Sequence, residues 1–175
     1  MSAVVVSHDP QWKGEFSKEA SAIRNAFFDV TIVVHHIGST AIPGIFAKPI
    51  IDLLGEVDDL RTVDENSTAL ERLGYETMGA YGIEGRRYFR KINSEGVRTH
   101  HLHVFELGSP HVERHLAFRD YLTTHSDVAA EYSALKERLA LKSDASWEKY
   151  ADGKDPFVTS VEPDAVEWYR QIQGK

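Results

Sequence analysis

The chain has no cysteine, which excludes disulfides, thiolate metal sites and a cysteine nucleophile. It is also poor in positive charge. Twenty lysines and arginines stand against 27 aspartates and glutamates, a net charge of −7. That balance argues against general coating of nucleic acid and leaves a local basic patch as the place for a phosphate. No apolar run approaches the length that spans a bilayer, and Met1 to Pro10 carries no basic segment leading into an apolar one. Repeats and low-complexity linkers are missing as well. These absences lead to the expectation of a cytoplasmic protein with no membrane partner. What remains is 175 residues, 42% hydrophobic and 27% charged, enough for a single domain over 1–175 with a sizeable core.

Asp9-Pro10 reads as a helix cap and first helical residue, and Trp12, Phe16, Ala20, Ile23 and Phe27 follow at helical spacing. The β-branched run Val30 to Ile37 predicts a strand, with Ile50 to Val57 as its neighbour. A second helix starts at Asp58, carries Leu60, Val63, Leu70 and Leu73, and ends at Gly74. Tyr75 to Ala80 predicts a strand and 82–85 a loop. Arg86 to Ile92 and Val97 to Glu106 predict a hairpin around Asn93 to Gly96. Beyond Pro110 the pattern is helical: His111 to Thr124, Asp127 to Lys142, a short helix near Trp147, and Pro156 to Gln173. The order predicts an α+β fold, a mixed sheet with helices on one face and a helical C-terminal half.

One stretch carries chemistry. His36-Ile37-Gly38-Ser39-Thr40-Ala41-Ile42-Pro43-Gly44 is followed by Lys48-Pro49-Ile50-Ile51-Asp52-Leu53-Leu54. A Gly-Ser turn offers backbone N–H groups and a hydroxyl to an anion. Asp52 lies inside an apolar run, where an unpaired carboxylate is costly, so it faces a site or serves as a structural acceptor.

Side chains alternate across a strand. Ile51, Leu53 and Val57 therefore share one face, and Ile50, Asp52, Leu54 and Glu56 the other. Leu102 and Val104 point one way; His101, His103 and Phe105 point the other. With the apolar faces under the helices, Asp52, His101 and His103 project together from the open face. The two histidines are roughly 6.6 Å apart along the strand, while Glu56 is about 13 Å of rise from Asp52, too far to chelate one ion with it. Arg86 and Arg90 share a face of the neighbouring strand, and a guanidinium fork suits phosphate oxygens. Against this stand plainer readings: His100, His101 and His103 as a solvated edge, the arginines as a solvated strand face, and Lys48 as the end of a loop.

These motifs, with Leu73-Gly74-Tyr75, Gly85 to Lys91, Thr99 to Val104, His115 to Leu122, Tyr132 to Lys136 and Tyr150 to Phe157, resemble the GrpB family (UPF0157). The likeness runs along nearly the whole chain. It implies the nucleotidyltransferase-like fold of the polymerase-β-like superfamily, in which a Gly-Ser turn holds nucleotide phosphates and acidic residues two apart bind divalent metal. Carried over, Gly38 and Ser39 fit the phosphate turn and Asp52 the first metal carboxylate. Leu54 stands where the second carboxylate is expected, and His101 and His103 where a third would come from a later strand.

Four functional expectations follow, the last an interaction or folding-accessory protein whose pocket is vestigial. The first is a nucleotidyltransferase or other phosphoryl-transfer enzyme acting on a nucleotide or phosphorylated small molecule. Its reaction would use Asp52, His101 and His103, with a divalent metal (Mg, Mn or Zn) on the same three residues. Its phosphates would lie against His36, Gly38, Ser39, Thr40, Lys48, Arg86, Arg90, Lys136 and Lys154. The second is a non-catalytic nucleotide- or phosphate-binding module. The resemblance links it to coenzyme A metabolism, since the family's domain occurs fused to dephospho-CoA kinase. The third is a metal-dependent hydrolase on Asp52, His101 and His103.

Overall fold

The computed structural model describes residues 4–142 and 146–174; the outermost positions of the domain expected over 1–175 lie outside it. Five strands form one sheet in the order β1-β2-β5-β4-β3. They are β1 (Val33–Ile37), β2 (Ile51–Val57), β3 (Tyr75–Thr77), β4 (Arg87–Ile92) and β5 (Arg98–Glu106). Only β2 and β5 run parallel; the other neighbours are antiparallel. The sheet is therefore mixed and the fold α+β, as expected.

One face is the core. Ile51, Leu53, Phe89, Leu102 and Val104 pack against Trp12 and Ile23 of α1 (Trp12–Ala26) and Phe27 at its C-cap. Leu60 and Val63 of α2 (Leu60–Glu65) and Leu70 of α3 (Ser67–Arg72) complete it. The alternation predicted for the second and last strands holds at every one of these positions. Where one helix from Asp58 is expected, two short ones occur. Asp59, not Asp58, caps the first by accepting from the Arg61 N–H. Asn66 leaves helical geometry between them and donates its side-chain amide to the Thr62 carbonyl at 2.7 Å, an asparagine competing with the helix for backbone partners.

The opposite face is the floor of a cleft rather than an open surface. Val112 of α4 (Pro110–Thr124) packs on Ile37, Leu54 and Phe105. Beyond it, Leu122 of α4 and Ala129 and Tyr132 of α5 (Ser126–Ala140) enclose Ile42 and Ile45, with Phe157 and Val161 of α6 (Trp147–Ile172) against them. The helical half thus grips the segment after the Gly-Ser turn.

The two helices expected near Trp147 and over Pro156–Gln173 are one, α6 (Trp147–Ile172), running through Pro156 and Pro163. Each proline removes a helix hydrogen bond. The packing of Tyr150, Phe157, Val161 and Ala165 outweighs that loss. Gly153 lets α6 approach α5: a Cβ there would lie 2.5 Å from Leu139 Cδ2. That crossing sets the position of Lys154, the next residue.

Candidate functional site

The Gly-Ser turn begins where β1 ends. Gly38 has φ 73° and ψ −170°, a region essentially restricted to glycine, and Ser39–Ala41 then makes a single 3-10 turn. His36 braces the turn from behind. Its Nε2 is 2.8 Å from Thr40 Oγ1, its ring stacks on Phe16, and its carbonyl accepts from Arg119. Burial, opposed by the Asp52 charge, lowers its pKa to about 4, so this histidine is neutral at pH 7.

In front of the turn lies a cavity of about 130 Å³ lined by Gly38, Ser39, Thr40, Lys48, Ile50, Asp52, Tyr132, Lys136, Tyr150 and Lys154. Lys136, on α5, is 1% exposed. Its ammonium donates to Ser39 Oγ and, at 2.9 Å, to the Phe46 carbonyl, and lies over the Tyr132 ring. Ser133 accepts from the Phe46 N–H, so α5 holds that peptide from both sides. Burial, with Lys154 and Lys48 nearby, drives the Lys136 pKa well below its ordinary value. Lys154 lies over the Tyr150 ring, and burial with Lys48 lowers it to about 8. The Tyr150 hydroxyl is buried with no protein hydrogen-bond partner. Three lysines and an unused hydroxyl around a small cavity in an acidic chain are suited to an anion.

Asp52 forms the wall between this cavity and a histidine cluster. It pairs with His101 across the parallel β2–β5 ladder. Its Oδ1 is 3.4 Å from His101 Nδ1 and 3.6 Å from His103 Nε2. Burial pushes the carboxyl up. The contacts from both histidines, with the Lys48 charge, more than offset this and hold Asp52 well below the usual carboxylate range. On the far side of His103, Arg86 Nη1 is 3.4 Å from Nδ1. Guanidinium only donates, so Nδ1 accepts and the ring proton is on Nε2, facing Asp52. Burial keeps this imidazole neutral despite the carboxylate. His101 Nε2, turned away from Asp52, is buried without a partner.

The structure therefore gathers Gly38, Ser39, Thr40, Lys48, Asp52, Lys136 and Lys154 around one cavity, with His101 and His103 behind Asp52. His36 braces the turn without lining the cavity. Arg86 and Arg90 are not among the residues lining the cavity. Arg86 donates to the carbonyls of Ala80 and Tyr81 besides His103, and Arg90 pairs with Glu76 and lies over Tyr81. Glu56 is bonded to His35 at 2.8 Å, clear of Asp52 as its spacing requires. Tyr132 and Tyr150 were missed as lining residues. Both lie in segments matching the family's motifs, but a helical tyrosine reads first as core.

The metal expectation does not fit these residues. Among the described residues, no group of three or more His, Cys, Asp and Glu side chains is arranged to hold a metal ion. The imidazole nitrogens address the Asp52 oxygen itself, Leu54 is fully buried in the apolar cluster beneath α4, and Arg86 and Lys48 add positive charge. Metal-assisted phosphoryl transfer relies on carboxylates to hold and neutralise the ions, and here one carboxylate is surrounded by cations and histidines. The metal set Asp52, His101, His103 and the hydrolase built on it are accordingly not carried forward.

A Gly-Ser turn leading from a strand into a mixed sheet, with a carboxylate on the next strand, defines a protein of the nucleotidyltransferase-like fold. Cid1 poly(U) polymerase bound to MgATP has a similar fold, with a TM-score of 0.52 at 9% identity over 75% of this chain and 45% of that one. More particularly, the chain belongs to the GrpB family: the family's model, described as GrpB protein, matches residues 2–164. The GrpB crystal structure from Enterococcus faecalis aligns with a TM-score of 0.89 at 39% identity, covering 95% of this chain and 99% of that one. The UPF0157 protein YqkA of Bacillus subtilis is 41% identical over 164 residues, which are 94% of this chain and 47% of YqkA. The chain thus spans about half the length of that relative. No helix among the described residues is long and apolar enough to cross a membrane.

Proposed function

We propose that this protein binds the phosphate end of a nucleotide or other phosphorylated small molecule in the cavity before the Gly38-Ser39 turn. The turn orients the phosphate, and Lys48, Lys136 and Lys154 neutralise it. The observation that carries the reading is the meeting of three lysines and the unpartnered Tyr150 hydroxyl around that cavity, in a chain whose net charge is −7. Cid1, with its similar fold, was solved bound to MgATP, which supports a nucleotide as the ligand class to try first. The cavity's size favours a phosphate or pyrophosphate group, with the remainder of the ligand outside it.

Thermal denaturation with pyrophosphate, ATP, UTP, dephospho-CoA and unphosphorylated adenosine tests the proposal. A ligand that binds the native state at a hundredfold excess over Kd adds about 2.7 kcal/mol, a rise of several degrees in Tm. Phosphorylated ligands are expected to raise Tm and adenosine to leave it unchanged, with the rise lost in Lys136→Met and Lys154→Gln. If no phosphorylated ligand moves the transition, the cavity is not a phosphate site.

A further inference from the structure

We infer that the Asp52 centre takes its phosphorylated ligand without a divalent metal, the lysines and the histidine-braced carboxylate occupying the place where the fold's metal ions stand. The inference rests on the proposed phosphate pocket and specifies how its charge is balanced.

Three observations carry it. The first is the carboxylate count. A metal-dependent site of this fold needs a second acidic side chain two residues beyond Asp52. That position is Leu54, fully buried among Ile37, Phe105 and Val112. No rotation of a neighbouring side chain supplies the missing charge, because Glu56 is engaged with His35. The second is the direction of the histidines. His101 Nδ1 and His103 Nε2 both face Asp52 Oδ1, and Arg86 fixes the His103 proton on the nitrogen that faces it. The nearest partners of this carboxylate oxygen are thus two imidazole nitrogens, at 3.4 and 3.6 Å. The third is the supply of positive charge. Lys48, Lys136 and Lys154 line the same cavity as Asp52, and Lys136 is anchored to both Ser39 and the Phe46 carbonyl. A phosphate there meets lysine side chains where a two-metal site would present ions.

This arrangement inverts the expected effect of removing Asp52. In a metal site, Asp52→Asn loses the ion and with it the ligand. In the site as built, Asp52 is a negative charge beside an anion pocket, so its neutralisation strengthens binding. The gain expected is about fourfold or more, the size for one like charge about 5 Å away even at the dielectric of water.

The test is calorimetric titration of the full chain with inorganic pyrophosphate, in EDTA and separately with Mg²⁺ or Mn²⁺, together with titration of Mn²⁺ alone. The inference expects binding in EDTA, no strengthening by either metal, no stoichiometric Mn²⁺ binding, and tighter pyrophosphate binding by Asp52→Asn. The wild-type comparison stands whether or not that variant folds. Binding only with metal, or at least about tenfold tighter with it, overturns the inference while leaving the phosphate pocket in place. Failure to bind in any of the buffers overturns the pocket itself, and the inference with it.

Discussion

Gly38 and Asp52 are in direct contact: a Cβ placed on Gly38 would lie 2.8 Å from Oδ2 of Asp52 and 3.2 Å from its Cβ. The Gly-Ser turn and the carboxylate, fourteen positions apart in the sequence, therefore form one packed unit. Gly38→Ala meets both a clash with a carboxylate held in place by two histidines and a backbone conformation hostile to any side chain. It should cost about 2–4 kcal/mol, read as a fall in the urea midpoint, and abolish the pyrophosphate-dependent rise in Tm. Gly44, also at positive φ but with open space around it, is the control. Gly44→Ala should cost only the backbone term, about 1–2 kcal/mol. Equal effects at the two positions would count against the Gly38–Asp52 contact.

Tyr150 gives a prediction of opposite sign for stability and binding. Its ring is 2% exposed and its hydroxyl has no protein partner. Deleting an unsatisfied buried group is neutral or stabilising, whereas losing a hydrogen bond to a charged ligand costs about 1.5–3 kcal/mol. Tyr150→Phe should therefore leave the denaturation midpoint unchanged or slightly higher and weaken pyrophosphate about tenfold or more. A marked loss of stability with unchanged affinity would show that the hydroxyl serves the fold instead.

Lys154 makes anion binding sensitive to alkali. Burial and Lys48 lower its pKa to about 8, and only the ammonium form attracts a phosphate. Affinity for pyrophosphate should fall as the pH is raised from 7 to 9, and Lys154→Gln should bind weakly with a flatter profile. Stability moves the other way. The folded pKa is below the ordinary 10.5, so between about pH 8 and 10.5 the unfolded chain holds more protons and stability rises with pH. Calorimetry and urea titration at matched pH values separate the two trends.

Acid should weaken the protein well before its surface carboxylates titrate. Burial lowers His36 to about 4 and His115, with help from Arg114, to about 3, against an ordinary 6.5. In the window from 6.5 down to those values the unfolded chain binds protons that the folded one refuses, so stability falls with pH. Each unit of difference is worth about 1.4 kcal/mol per group. His115→Phe keeps a ring beside Phe105 and His103 while removing one of the two titrations. It should flatten the decline in urea midpoint between pH 6.5 and 4. A wild-type midpoint constant over that range would mean these histidines are solvated.

The alternation along β2 and β5 could be read directly from sequence because strand periodicity assigns faces without knowledge of neighbours. Ile51, Leu53, Leu102 and Val104 went to the core, and Asp52, His101 and His103 to the other side, as their spacing required. The shared face of Arg86 and Arg90 was legible in the same way, but periodicity could not show Arg86 turned onto backbone carbonyls or Arg90 drawn to Glu76. Proline chemistry misled at Pro156, where packing against α4 and α5 keeps the helix continuous.

What the sequence alone determined is therefore local: the two strands, the Gly-Ser turn, the isolated aspartate and the absence of a carboxylate at Leu54. The tertiary structure decided what surrounds that aspartate. Ser39 meets Lys136 across a sequence separation of 97, and Lys154 arrives because Gly153 lets α6 close on α5. Residue spacing fixes which face of an element a side chain occupies. Only the packing of distant elements fixes which charges share a cavity, and here it sets lysines beside a carboxylate already held by histidines.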